Sequence, residues 1–359
     1  YGWHYGFGAA GIGMLAGVIV FWNGSKNNVY GNQGEQPEEF KDKKYFGILN
    51  IKHIVYILAL ASAPLFAFLV KQNSYIVFPE SPLESGLMTF LLFALLIVVI
   101  LFLTYTCIKS DKVTRERLIV VAILTFFITI FWSFFEQAGS SLTVFAQDHV
   151  NLVGLNAAQT NSINPGYIML LAIPFSMMWV WLDKRRMNPS TPMKFGFGIA
   201  QLGLGFLIFA ISSNYMDSNG MVGMVFLMLG YLFITTGELF VSPVGLSKVT
   251  ELSPAKLVAF MMGVWFLSSA FAHHISGIIS KLTIGGSGHG DEAVVVADNW
   301  LTSAAKSIAG TPAADASEGA VALFNYTTVF GQIAIISFIF AVIAIVLSPL
   351  IKKMMHGIK

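Results

Sequence analysis

The sequence predicts an all-α protein, a polytopic membrane helix bundle. Three observations carry that prediction. The 359 residues are 55% hydrophobic and only 11% charged. Several apolar runs exceed about 18 residues, the length that crosses a bilayer. Of the 21 lysines and arginines, 18 fall in alternate loops, the one-sided pattern that orients spanning helices with basic loops in the cytoplasm.

The elements follow in order. Tyr1-Gly2-Trp3-His4-Tyr5-Gly6-Phe7 reads as a short loop with interfacial aromatics, leading into an apolar run over about 7–22. Gly13 and Gly17 form a small-xxx-small pair in that run, which favours close helix packing. The first residue is not methionine and no charged leader precedes the run, so the expectation is a C-terminal portion of a longer chain. Residues 1–23 are assigned to one helix and 24–50 to a polar loop.

Two spans, 51–70 and 87–107, are joined by a connector holding Pro79 and Pro82 and almost no basic charge. They are expected to form a hairpin over 51–108. A basic stretch, Lys109 to Arg117, leads to a long helix over about 118–145. A loop with Asp148 and His149 follows. The next span, about 163–182, ends in Asp183-Lys184-Arg185-Arg186. Further spans are expected at about 195–212, 221–246 and 256–279. A Gly/Ala/Asp-rich insertion covers 285–325, with a short strand hairpin at Ala293-Val294-Val295-Val296. The glycines at 285, 286 and 288 precede no Gly-Lys-Ser/Thr, so they form a turn and not a phosphate loop. The last span, about 328–350, precedes a basic tail over 352–359. These are nine spans, with 109–351 as a C-terminal six-helix bundle, after one helix over 1–23 and the inserted hairpin over 51–108. The charge bias places the C terminus in the cytoplasm and the 285–325 insertion outside.

Glu238 stands inside the apolar run over 221–246. A charge near the centre of a spanning helix costs about 2.5–3.5 kcal/mol, so such residues face a bundle interior or a watery cavity and often hold ions or substrate. Ser242 is one turn on and shares its face. Pro243 removes a backbone donor and is expected to loosen the helix below. In the helix over 118–145, Trp132, Phe135 and Glu136 recur at i, i+3 and i+4 on one face. Gln137, Gly139, Ser140 and Ser141 then make its outer third too polar to face lipid. Asn164-Pro165-Gly166 opens the next span with irregular backbone, tolerated at depth only when it lines a cavity or is packed in protein. Trp265 sits midway along a fourth helix.

Together these residues supply two carboxylates, an amide, a hydroxyl and two indoles. Such a lining suits a small zwitterion, its ammonium group against carboxylate and amide, its side chains against aromatic walls. Each residue also has a plainer reading. Glu238 fits a static ion pair, Asn164 a cap ahead of Pro165, and Trp132, Phe135 and Trp265 ordinary packing. His273 and His274 point about 100° apart and cannot share one site, so they read as interfacial. Cys107 is the single cysteine, which excludes an internal disulfide and a cysteine metal site. No His-Glu-x-x-His and no nucleophile elbow occurs, which speaks against an enzyme.

The run from Phe131 to Ser141 (FWSFFEQAGSS) resembles the seventh transmembrane helix of the proton-dependent oligopeptide transporters, carriers of the major facilitator superfamily. Asn164-Pro165 is similar to the start of their eighth. The run from Gly237 to Ser247 (GELFVSPVGLS) resembles their tenth, and LSPAKL at 252–257 with MMGVWFLS at 261–268 the join from tenth to eleventh. The 51–107 pair resembles the extra helices that bacterial members insert between halves.

The resemblance implies symport of di- and tripeptides with protons by alternating access, in the bacterial inner (cytoplasmic) membrane. It implies no enzyme activity, no cofactor, no metal and no nucleic acid. Glu238 would bind the peptide amino terminus with Asn164 beside it. Ser242, Trp265, Trp132 and Phe135 would line the pocket, and Glu136 would serve a proton-sensitive outer gate. The family's N-terminal helix with two glutamates, an arginine and paired tyrosines has no counterpart in this sequence. The implied partner is therefore an N-terminal half of the same carrier, supplying the cations that meet Glu238 and the peptide carboxylate. A family carrier of another substrate (nitrate, a drug or an amino-acid conjugate) and a non-transporting peptide receptor remain as alternatives.

Overall fold

In hydrocarbon a chain must satisfy its own backbone N–H and C=O groups, so long apolar runs become helices. The computed structural model describes residues 3–31, 44–45, 49–71, 87–285, 299–313 and 315–358. Among these, nine helical segments are long and apolar enough to cross a membrane, as the hydropathy pattern predicts. The chain divides between Met88 and Thr89 into two units.

The first unit holds α1 (Trp3–Lys26) and α2 (Ile51–Lys71). Between them in sequence, β1 (Lys44–Tyr45) pairs antiparallel with β2 (Leu49–Asn50). Among the described residues, Gly13 and Gly17 of α1 meet no atom that a methyl group there would touch.

The second unit begins within α3 (Leu87–Lys109), so the unit boundary falls inside the segment expected as one hairpin. Phe93 of α3 packs edge-on against Phe271, and Phe102 lies 4.6 Å from Phe260 between ring centres. Asp111 caps α4 (Lys112–Phe135), its Oδ2 accepting from the N–H groups of Val113 at 3.0 Å and Thr114 at 3.2 Å. The helix expected to continue to residue 145 stops at Phe135. A 3-10 turn over Glu136–Gly139 follows, then α5 (Ser141–His149). Gln137, bonded to Ser276 on a distant helix, lies in this turn, and Ser140 ends it by leaving helical space at φ −128°, ψ −100°. Asp148 thus lies in a helix and not in a loop.

Short β3 (Val150–Asn151) and α6 (Ala157–Thr160) lead to α7 (Ile163–Lys184) and α8 (Thr191–Ile211). β3 runs parallel to β4 (Val222–Gly223), which leads into α9 (Met224–Leu252). Pro243 does not end α9, which continues to Leu252. α10 (Val258–Gly285) follows. The stretch expected as a loop insertion contains α11 (Trp300–Ala309), and α12 (Glu318–Met354) starts about three turns before the predicted residue 328. The expected strand at Ala293–Val296 and the glycine turn after Gly285 lie outside the described residues.

α11 is tied down by polar contacts: Ser213 Oγ donates to the Ala309 carbonyl at 2.6 Å, Asn214 Nδ2 to the Ile308 carbonyl at 3.0 Å and Gln332 Nε2 to Thr302 Oγ1 at 2.9 Å. Beside it, Phe145, Phe206, Phe209, Tyr326 and Phe330 form a fully buried aromatic cluster. α8 is the hub, packed on α9 and α12. Its contact with α9 is close because glycines face each other: a methyl on Gly237 would fall 2.6 Å from the Gly198 carbonyl. Only residues without Cβ permit that approach. Gly237 therefore points at α8, and its neighbour Glu238 is turned away from it.

Candidate functional site

Glu238 is the midpoint of α9, fourteen residues from either end, so it sits about 21 Å from each end of the helix. Its side chain is half-buried. Asn164, in the first turn of α7, donates from Nδ2 to Glu238 Oε2 at 3.1 Å and to Thr235 Oγ1 at 3.0 Å. Thr235, buried in α9, donates its own hydroxyl to the Tyr231 carbonyl at 2.7 Å. With its proton spent, Thr235 Oγ1 can only accept, and this fixes the Asn164 amide with nitrogen toward both oxygens. The Asn164 carbonyl oxygen and Glu238 Oε1 accept no hydrogen bond among the described residues.

Ser242 lies one turn along the same face, its Oγ buried and without a hydrogen-bond partner among the described residues. One further turn on, Gly245 makes room for Trp265 of α10: a Cβ at 245 would run into the indole ring. Trp265 is only 7% exposed. On α4, Trp132 and Phe135 form an edge-on pair with ring centres 4.8 Å apart. Glu136 follows at the start of the 3-10 turn. Its Oε2 stands 3.7 Å from Nδ1 of His273 on α10. His274 faces elsewhere, its ring edge-on to Phe93, as the 100° offset requires.

The structure thus joins Asn164 to Glu238 directly and seats Trp265 against the face of α9 that carries Ser242. Trp132 and Phe135 pair on α4, and Glu136 follows them in the 3-10 turn. Two contributors, Thr235 and Ser276, were not singled out from sequence, and two more have partners the sequence did not show: Gln137, read there as outer-third polarity, and His273, read as interfacial. Thr235 sets the amide, His273 faces Glu136, and Gln137 with Ser276 locks the 3-10 turn. Gln137 is fully buried and donates from Nε2 to the Ser133 carbonyl, the Ser276 carbonyl and Ser276 Oγ at 3.3, 3.2 and 3.0 Å, while its Oε1 accepts from Ser141 Oγ at 2.6 Å. The available signal for Gln137 was an uncharged amide at membrane depth, which needs partners.

The helices are long and apolar enough to span a membrane, and one of them holds a hydrogen-bonded carboxylate at its midpoint. The POT family model matches residues 1–294. The chain belongs to the POT family.

Among curated relatives, "Uncharacterized transporter YclF" of Bacillus subtilis (strain 168) is 30% identical over 363 residues, covering 100% of this chain and 63% of that protein. "Peptide transporter YePEPT" of Yersinia enterocolitica is 30% identical over 286 residues, covering 78% of this chain and 55% of that protein. A crystal structure of a mutant peptide transporter POT in complex with alafosfalin superposes with a TM-score of 0.66 at 26% identity, covering 99% of this chain and 63% of that one. The chain therefore spans less than two thirds of the length of these relatives.

Proposed function

We propose that this chain carries the amine-binding side of a di- and tripeptide site and works in proton-coupled symport across a bacterial cytoplasmic membrane. One observation carries the reading: the Glu238 carboxylate, at the midpoint of a spanning helix, is held on one oxygen by Asn164 and open on the other. A peptide ammonium group would meet a charge-assisted acceptor of fixed position, with the Asn164 carbonyl as a second acceptor. Ser242, Trp265, Trp132 and Phe135 add one hydroxyl and aromatic walls, which suit side chains of varied size. Relatives named as peptide carriers support the substrate class.

The reading includes a further helical half, which supplies cations for Glu238 and for the peptide carboxylate. Two such halves rock about a site near the midplane. Desolvation opposes ionisation of a carboxylate and an adjacent cation favours it. Rocking alters both, so proton exchange accompanies peptide entry and exit. Glu136 with His273 would form the outer proton-sensitive pair. One charge moving through 100 mV supplies about 2.3 kcal/mol.

The test is uptake of a labelled dipeptide into liposomes holding the native protein, under an inward proton gradient. Gradient-driven uptake is expected, and Glu238→Gln should abolish it. Uptake that survives this substitution would remove Glu238 from the centre. Dipeptide binding without flux would identify a receptor, and no dipeptide response would point to another substrate.

A further inference from the structure

A cavity of about 780 Å³ opens where α7 ends and α8 begins. Its wall carries four cations, Arg186, Lys194, Lys248 and Lys352, against one carboxylate, Asp183. Lys248 is paired with Glu251, and Asp183 accepts from Asn188 Nδ2 at 3.4 Å. Arg186 and Lys352 meet no acidic partner among the described residues. The wall thus holds positive charge that the protein does not itself neutralise.

Arg186 adds an independent observation. It adopts φ +57°, closing α7 in a Schellman turn, with the Met187 N–H donating to the Leu182 carbonyl and the Arg186 N–H to the Asp183 carbonyl, both at 2.9 Å. Glycine is the residue that favours this conformation. An arginine here keeps a guanidinium on the cavity wall despite the backbone strain.

The surroundings indicate the occupant. Lys194 Nζ lies 4.2 Å from the ring centre of Trp179, and Arg185 Cζ lies 4.3 Å from that of Trp181. Tryptophans beside cations mark the headgroup level of a membrane. The exposed face of α12 that carries Val342, Val346 and Leu350 runs on to Lys353. Lys353 and Pro349 line a second cavity of about 410 Å³, which shares Lys352 and Ile358 with the first. A basic groove is therefore continuous with an apolar helix face.

We propose that this groove binds the phosphate headgroup of an anionic phospholipid, with the acyl chains along the exposed face of α12. Basic pockets between helix ends suit such headgroups, and a free phosphate would leave the apolar strip unused. The inference does not depend on which solute the carrier moves.

The test is native mass spectrometry of the detergent-solubilised protein with dioleoyl phosphatidylglycerol, with dioleoyl phosphatidylcholine, and with sodium phosphate as competitor. Preferential retention of the phosphatidylglycerol is expected. Arg186→Gly and Lys352→Gln should each lower its occupancy about five-fold, and Arg186→Gly should melt no lower than the parent because glycine relieves the turn. Lys109→Gln, a basic residue on α3 outside the groove, should leave retention unchanged. Equal retention of the two lipids would overturn the proposal. So would unchanged preference in the Arg186→Gly, Lys352→Gln double variant, or an equal loss in Lys109→Gln. Displacement of phosphatidylglycerol by millimolar phosphate would reassign the groove to a soluble anion.

Discussion

Thr235 carries no charge, yet it decides which way the Asn164 amide faces. Thr235→Val keeps the shape and removes the acceptor. One net hydrogen bond is worth about 0.5–1.5 kcal/mol, so dipeptide KM should rise roughly three- to ten-fold with the maximal rate little changed. Concentration-dependent uptake checks this, and an unchanged KM would show that Glu238 alone holds the amide. Glu238 and Asn164 were legible in sequence because a charge in an apolar run and an asparagine before proline are local signals. Thr235 was not, because a hydroxyl at depth commonly bonds its own helix one turn back. Nor was the link between Gln137 and Ser276, since they lie 139 residues apart and meet only through helix packing. At the bundle edge, hydrogen bonds from Thr114 and Val113 hold the Asp111 carboxyl below the usual carboxylate range. A depressed folded value means stability that is present above the unfolded carboxylate range and lost as pH falls through the folded one. Asp111→Asn should keep the cap and flatten this acid loss in thermal melts taken as pH falls below about 4, the ordinary carboxylate value.

At the scale of helices, the glycine contact between α8 and α9 orients the site. A methyl on Gly198 would meet Val241 and lie 2.9 Å from the Gly237 carbonyl, so the helices must separate. Gly198→Ala should cost about 1–3 kcal/mol, the range for overpacked cores. It should also lower dipeptide affinity, because α9 rotates or shifts with Glu238 on it. Melting in detergent and binding measured on the same sample check both effects. Helix existence was legible from apolar length alone. The stop at Phe135 was not, since no proline marks it and the turn is set by Gln137 bonding to α10. α11 was not legible either. Its ten residues are rich in Ala, Ser and Thr and too short to span, and its stability comes from Ser213, Asn214 and Gln332 on distant segments.

For the molecule as a whole, the basic loops predict a C terminus in the cytoplasm and α11 outside. In a Cys107→Ser background, a membrane-impermeant maleimide should label Ser307→Cys on intact cells and Lys353→Cys only after permeabilisation. The opposite pattern would invert the orientation. α7 has no buried residue along its length although it carries Asn164. Its apolar side chains, Met169, Leu170, Ile173 and Met177 among them, stay exposed among the described residues.

Gln137 bonds to α4 through Ser133, to α5 through Ser141 and to α10 through Ser276. Mechanically this is a fulcrum pinned by a neighbouring strut. α4 and α5 are two levers meeting at one point, and that point is registered to α10, the helix that also sets His273 opposite Glu136.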